Sequence, residues 1–171
     1  MQRHFLSVNG ADDELKVLAQ KKVFEKSNIA VVVGTYKYKA LADSYQVFKE
    51  LRKITNSNLK LVVIGPKKDI SVKLTGDENV IIKGILSREK VIEYLQTARF
   101  YISTTRIENS YNAASEGIFF ANESYISNIG PHQELLAKMP HSIVSMPNVE
   151  PLLIKVNRSE INGDNLLTWA Q

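Results

Sequence analysis

The stretch Ala98–Phe120, ARFYISTTRIENSYNAASEGIFF, decides how the chain is read. Phe100, Tyr101 and Ile102 form a short apolar run, as in a buried strand. The chain then turns through Ser103–Ile107 and enters a helix at Asn109 or Ser110, either of which can cap the first free amides. Ala113, Gly117, Phe120 and Ala121 fall at helical spacing, giving one stripe for the sheet. Two carboxylates frame the helix start, Glu108 before it and Glu116 two turns on, with seven residues between them. A helix start offers unpaired N–H groups and partial positive charge, a place for a phosphate or sugar oxygen. A carboxylate beside it accepts hydrogen bonds from hydroxyls, as a sugar or ribose requires. A glutamate near a helix start is often only a dipole partner. The strand that precedes this one favours a ligand, because open parallel sheets bind theirs beyond the carboxyl ends of the strands.

Outward from this stretch, apolar runs recur about every 20 to 30 residues. Ile29–Val33 ends at Gly34, and Leu59–Ile64 ends at Gly65-Pro66. Asn79–Ile82 precedes Gly84, Ser124–Ser127 follows the organising helix, and Ile143-Val144 comes last. Between them lie an amphipathic helix with Leu41, Tyr45, Phe48 and Leu51 on one face, and a helix capped by Ser87 and carrying Val91, Ile92 and Leu95. A short helix holds Glu134–Leu136, the polar 67–77 stretch has room for one short element, and the tail reads as helical near Val149–Val156 and again from Ser159. The expected fold is α/β, a Rossmann-like parallel sheet of about six strands with helices on both faces. Residues 1–28 read as a lead-in, with a strand signal at Phe5–Val8, a turn at Asn9-Gly10 and a charged helical stretch from Asp12 to Lys26. Residues 29–171 read as one domain.

Composition narrows the function. With 171 residues, 44% hydrophobic and 23% charged, the chain is an ordinary globular protein. It has no cysteine, and its three histidines match no metal-ligand spacing, so no metal site is expected. No run is long enough to span a membrane and no signal-peptide pattern opens the chain, so the cytoplasm is the expected location. A net charge of +4 suits a phosphate ligand or an anionic membrane surface. No aromatic and basic residues interleave as on a single-strand platform, so nucleic acid is not an expected partner. The G-x-G-x-x-G and G-x-x-x-x-G-K-[ST] fingerprints are absent, which argues against a dehydrogenase and an ATPase.

The order of these signals resembles the C-terminal, donor-nucleotide half of a GT-B-fold retaining glycosyltransferase (glycosyl transferases group 1) from about Val8 to Glu134. Asn9-Gly10-Ala11-Asp12 resembles that family's interdomain turn, Val31–Gly34 its first nucleotide-domain strand and glycine, and Leu61–Gly65 its second. Asn79–Gly84 resembles the strand before the base-binding loop, Glu108–Glu116 the Glu-x7-Glu signature, and Ser127–Gly130 with Glu134 the loop after the next strand. The resemblance implies that Glu116 bonds the ribose hydroxyls of a UDP- or GDP-sugar and that Glu108, the catalytic candidate, holds a hydroxyl of the donor sugar. Amides at Ser110, Tyr111 and Asn112 would face the sugar or diphosphate, Gly84-Ile85 the base, and Lys37 and Lys39 beyond Gly34 the diphosphate.

The chemistry implied is hexosyltransferase-like transfer with retention to a glycan or lipid-linked acceptor, without metal or other cofactor. Its setting would be polysaccharide assembly at the inner face of the cell membrane. The sequence departs from the family pattern at Thr35, where an Arg is usual, at Pro131, where a second glycine is usual, and at Ser124, where a proline is common. The resemblance also implies a separate N-terminal acceptor domain, so that this chain alone should bind donor and transfer little. The alternatives are a non-catalytic Rossmann-like nucleotide- or partner-binding module and a fragment of a GT-B-like sugar-nucleotide epimerase.

Overall fold

Alternation of apolar residues along the strands builds a three-layer molecule. A computed structural model describes residues 25–108 and 112–161; the expectations for Phe5–Val8, Asn9-Gly10, the helical stretch up to residue 24 and the cap at Asn109 or Ser110 lie outside them. Strand β1 (Ser27–Val33) leads through a 3₁₀ turn (Lys37–Lys39) to helix α1 (Leu41–Thr55) and β2 (Lys60–Ile64). Helix α2 (Val72–Thr75), β3 (Val80–Gly84), α3 (Arg88–Thr97) and β4 (Ala98–Ser103) follow. Helix α4 (Asn112–Phe120), β5 (Glu123–Ser127), α5 (Gly130–Leu135), β6 (Ser142–Val144), β7 (Leu153–Asn157) and a 3₁₀ turn (Arg158–Glu160) complete the described chain.

The sheet order is β3-β2-β1-β4-β5-β7-β6, and the first five strands are parallel. Successive residues of each strand feed opposite faces. Val31, Val62, Ile64 and Tyr101 pack with Leu95 of α3, Ala114 and Ile118 of α4, and Leu135 of α5. Ala30, Val32, Leu61, Val63, Phe100 and Ile102 pack with Tyr45, Val47, Phe48 and Leu51 of α1 and Leu74 of α2. Helices therefore cover both faces, as expected, and the Ser87 hydroxyl caps α3 by accepting the Lys90 amide at 3.3 Å.

Two expectations are corrected. The span near Val149–Val156 is not helical: Leu153–Asn157 is strand β7, antiparallel to both β5 and β6. Pro151 would remove a helical donor and clash with the preceding turn, whereas Leu153, Ile154 and Val156 bury fully against the sheet. The described sheet accordingly has seven strands, and it is parallel only as far as β5. Of the helix expected from Ser159, the described part is a 3₁₀ turn. Among the described residues no helix is long and apolar enough to cross a membrane.

Candidate functional site

Strand β1 pairs with β2 on one side and β4 on the other, so the chain leaves β1 in one direction and β4 in the opposite one. A crevice opens at the carboxyl ends of two such strands. Gly34 turns the chain out of β1 with φ +98°, and its amide donates to the Ile64 carbonyl at 2.8 Å. A Cβ at this position would stand 3.2 Å from Cγ and Cε of Lys39, so the lysine stem lies across the glycine. Lys39 Nζ then reaches Glu108 Oε2 at 3.4 Å, and the two side chains are 14% and 9% exposed. This ion pair joins the β1 exit to the β4 exit.

The two exits are also tied through the backbone. Thr104 and Thr105 are fully buried. Thr104 Oγ1 donates to the Ala40 carbonyl at 2.9 Å, so Ser44 Oγ donates to it at 2.7 Å. Thr105 Oγ1 donates to the Ile107 carbonyl at 2.7 Å, and the Arg106 amide donates to the Tyr38 carbonyl at 2.8 Å. These bonds fix Glu108 relative to Lys39 without help from the ion pair.

Glu116 lies on α4 with its side chain 13% exposed, and its Oε1 accepts from Arg88 Nε and Nη2 at 3.2 Å each. Arg88 is the first residue of α3, so this contact joins the β3 exit to α4. The Tyr101 phenol is held well above its usual range by burial, with a Ser103 hydrogen bond opposing and the charges of Glu108 and Glu116 adding to the rise. Each glutamate thus has a cation beside it, Lys39 at 3.4 Å from Glu108 and Arg88 at 3.2 Å from Glu116. Gly117 makes room for this ring, since a Cβ there would stand 2.2 Å from Tyr101 Cδ1.

The other predicted residues divide. Gly84 takes φ +74° beneath the stem of Lys67, whose Cε would meet a Cβ at 3.0 Å, and Ile85 beside it is 78% exposed. Lys37 lines a cavity of about 530 Å³ with Thr35, Tyr36, Pro66, Lys68 and Asp69. Asn112 opens α4, while Ser110 and Tyr111 lie outside the described residues.

Two residues at the site went unnoticed in the sequence reading. Arg88 is one. The other is His132, which is fully buried at the start of α5. Its Nδ1–H donates to the Ser127 carbonyl at 2.7 Å, and its Nε2 has no partner among the described residues. Burial holds its pKa below the ordinary value, Ser127 and Glu108 oppose this, and Lys39 adds to it. Ser127 Oγ in turn donates to the Thr105 carbonyl at 2.6 Å, so α5 is latched to the loop that carries Glu108.

The family model for glycosyl transferases group 1 matches residues 14–114, more than half of the chain. The chain belongs to that family. The match takes in Gly34, Lys39, Gly84, Arg88 and Glu108, and it ends two residues before Glu116. No curated protein matches the chain. Among solved structures, the alpha,alpha-trehalose 6-phosphate synthase of Burkholderia multivorans is similar at a TM-score of 0.54 and 15% identity, over 73% of this chain and 33% of that one. That likeness shows the fold, Rossmann-like and matching one half-domain of the GT-B architecture. The chain spans about a third of that neighbour's length.

Proposed function

We propose that this chain is the donor-binding domain of a retaining glycosyltransferase that takes a sugar from a UDP- or GDP-sugar to a glycan or lipid-linked acceptor. The observation that supports it best is the two ion pairs that tie neighbouring strand exits, Lys39–Glu108 from β1 to β4 and Arg88–Glu116 from the β3 exit to α4. In this reading the 3.4 Å contact between Lys39 and Glu108 opens when the donor arrives. Lys39 turns to the diphosphate and stabilises the charge that grows on it as the glycosidic bond breaks. Glu108 accepts a hydroxyl of the donor sugar and fixes the ring whose anomeric carbon gains oxocarbenium character. Glu116 accepts the ribose hydroxyls, with Arg88 holding its second side. The amides of Ser110, Tyr111 and Asn112 face the sugar or diphosphate, and Gly84 and Ile85 border the base. The acceptor comes from a separate N-terminal domain, so the chain by itself binds donor and transfers little. The protein works in the cytoplasm, at the inner membrane face where its acceptor is held.

Calorimetry with a nucleoside diphosphate and its 2′-deoxy counterpart tests the ribose assignment. The parent chain should favour the ribose form by about 1–3 kcal/mol, the cost of losing a charge-assisted hydrogen bond. In Glu116→Ala both forms should bind alike. Equal preference for the ribose form in the two proteins would remove Glu116 from the donor site.

A further inference from the structure

Beside the crevice, the exits of β1 and β2 enclose the cavity of about 530 Å³ lined by Thr35, Tyr36, Lys37, Pro66, Lys68 and Asp69. Its volume is in the range of pockets that hold small organic ligands. Lys37 and Lys68 bring two positive charges from two loops and have no ion-pair partner among the described residues. Tyr36 is 58% exposed yet held, because its ring stacks on Tyr38 at 5.9 Å with the planes 7° apart. That arrangement leaves a flat apolar face at the cavity wall. Asp69 adds an acceptor for hydroxyls. Thr35 Oγ1 is spent on the Pro66 carbonyl at 2.6 Å, which ties the two loops together under the cavity. Two ammonium groups, one fixed aromatic face and one carboxylate suit a pyranose ring that carries a single anionic group.

We propose that this cavity is a second binding site, for a small anionic carbohydrate such as a sugar phosphate or a uronic acid. The sugar's C–H face lies on Tyr36, its anionic group lies between Lys37 and Lys68, and a hydroxyl donates to Asp69. The site does not rest on the donor-domain reading.

The test is calorimetry of the 171-residue chain with glucose 6-phosphate, glucuronate, glucose and inorganic phosphate. Glucose 6-phosphate or glucuronate should bind at least about tenfold more tightly than glucose and inorganic phosphate, and the tighter of the two identifies the anionic group. Lys37→Ala/Lys68→Ala should weaken that ligand about tenfold, and Tyr36→Ala should weaken it while leaving inorganic phosphate unchanged. Lys68→Ala should leave nucleoside diphosphate affinity within about twofold. The proposal is overturned if neither variant alters binding, if inorganic phosphate binds as well as the sugar phosphate, or if a saturating nucleoside diphosphate displaces the sugar phosphate. Failure of the donor reading would show separately, in the nucleoside diphosphate titration of the parent chain.

Discussion

Replacing Gly117 by alanine should destabilise the domain, and the structure supplies the magnitude. The new Cβ would stand 2.2, 2.4 and 2.5 Å from Cδ1, Cγ and Cε1 of Tyr101. Carbon atoms in contact prefer about 3.5–4.0 Å, so the ring or the helix must retreat by roughly 1.3 Å or more. Tyr101 is 1% exposed and packed with both β-sheet and α4 residues, so neither partner has free space to move into. Overpacking of this kind costs about 1–3 kcal/mol, and a clash this deep belongs at the upper end. Alanine returns about 1 kcal/mol through helix propensity. The net loss should be about 2 kcal/mol, or about 4–8 °C in Tm for a chain of this length. Urea denaturation followed by far-UV circular dichroism measures it. In a Tyr101→Ala background the same substitution should be neutral or stabilising, because the ring it strikes is gone. A Gly117→Ala protein as stable as its parent, or an equal penalty in the two backgrounds, would refute the reasoning.

Lys39→Met should weaken a nucleoside diphosphate by about 1–3 kcal/mol and the free nucleoside hardly at all; calorimetry with both ligands checks this. Lys26 predicts a pH dependence of stability. Its Nζ donates to the carbonyls of Gln96 and Phe120 at 2.6 and 2.5 Å, at the ends of α3 and α4. Burial, with repulsion from Arg158, lowers its pKa from 10.5 to about 8. Between these values the folded chain has released a proton that the unfolded chain still holds, so stability should rise as pH rises from about 8 towards 10.5. Across that window the parent's urea midpoint should gain on that of Lys26→Met, while the raised pKa values of buried Tyr101 and Tyr125 lower both proteins alike towards its upper end.

Much of the architecture is written in short-range patterns. Val31–Val33 and Leu61–Ile64 are apolar on both faces, as strands covered by helices on both sides must be, and glycines follow where the chain turns. The Ser87 cap is equally local. Strand β7 was not legible, because Leu153, Ile154 and Val156 become a strand only through pairing with β5, whose residues lie some thirty positions earlier. The Glu108–Glu116 spacing is a local pattern, yet the cations facing these glutamates come from elements apart in sequence, Lys39 beyond β1 and Arg88 at the start of α3. Lys39 and Lys37 looked equivalent, and only the Gly34 turn separates them, laying one stem over the glycine and leaving the other at the cavity. Arg88 reads as an exposed first-turn residue until α3 and α4 pack together. His132 carries no local mark of a buried imidazole, because its partner Ser127 belongs to the preceding strand.

Amide chemical-shift mapping of a nucleoside diphosphate on the labelled chain tests the donor site most directly. The account predicts shifts at Gly34 and Lys39, at Gly84–Arg88 and at Ala113–Glu116, all at the carboxyl ends of β1, β3 and β4. Shifts confined to the opposite end of the sheet, at Lys26, Asn58–Lys60 and Arg158, would contradict it.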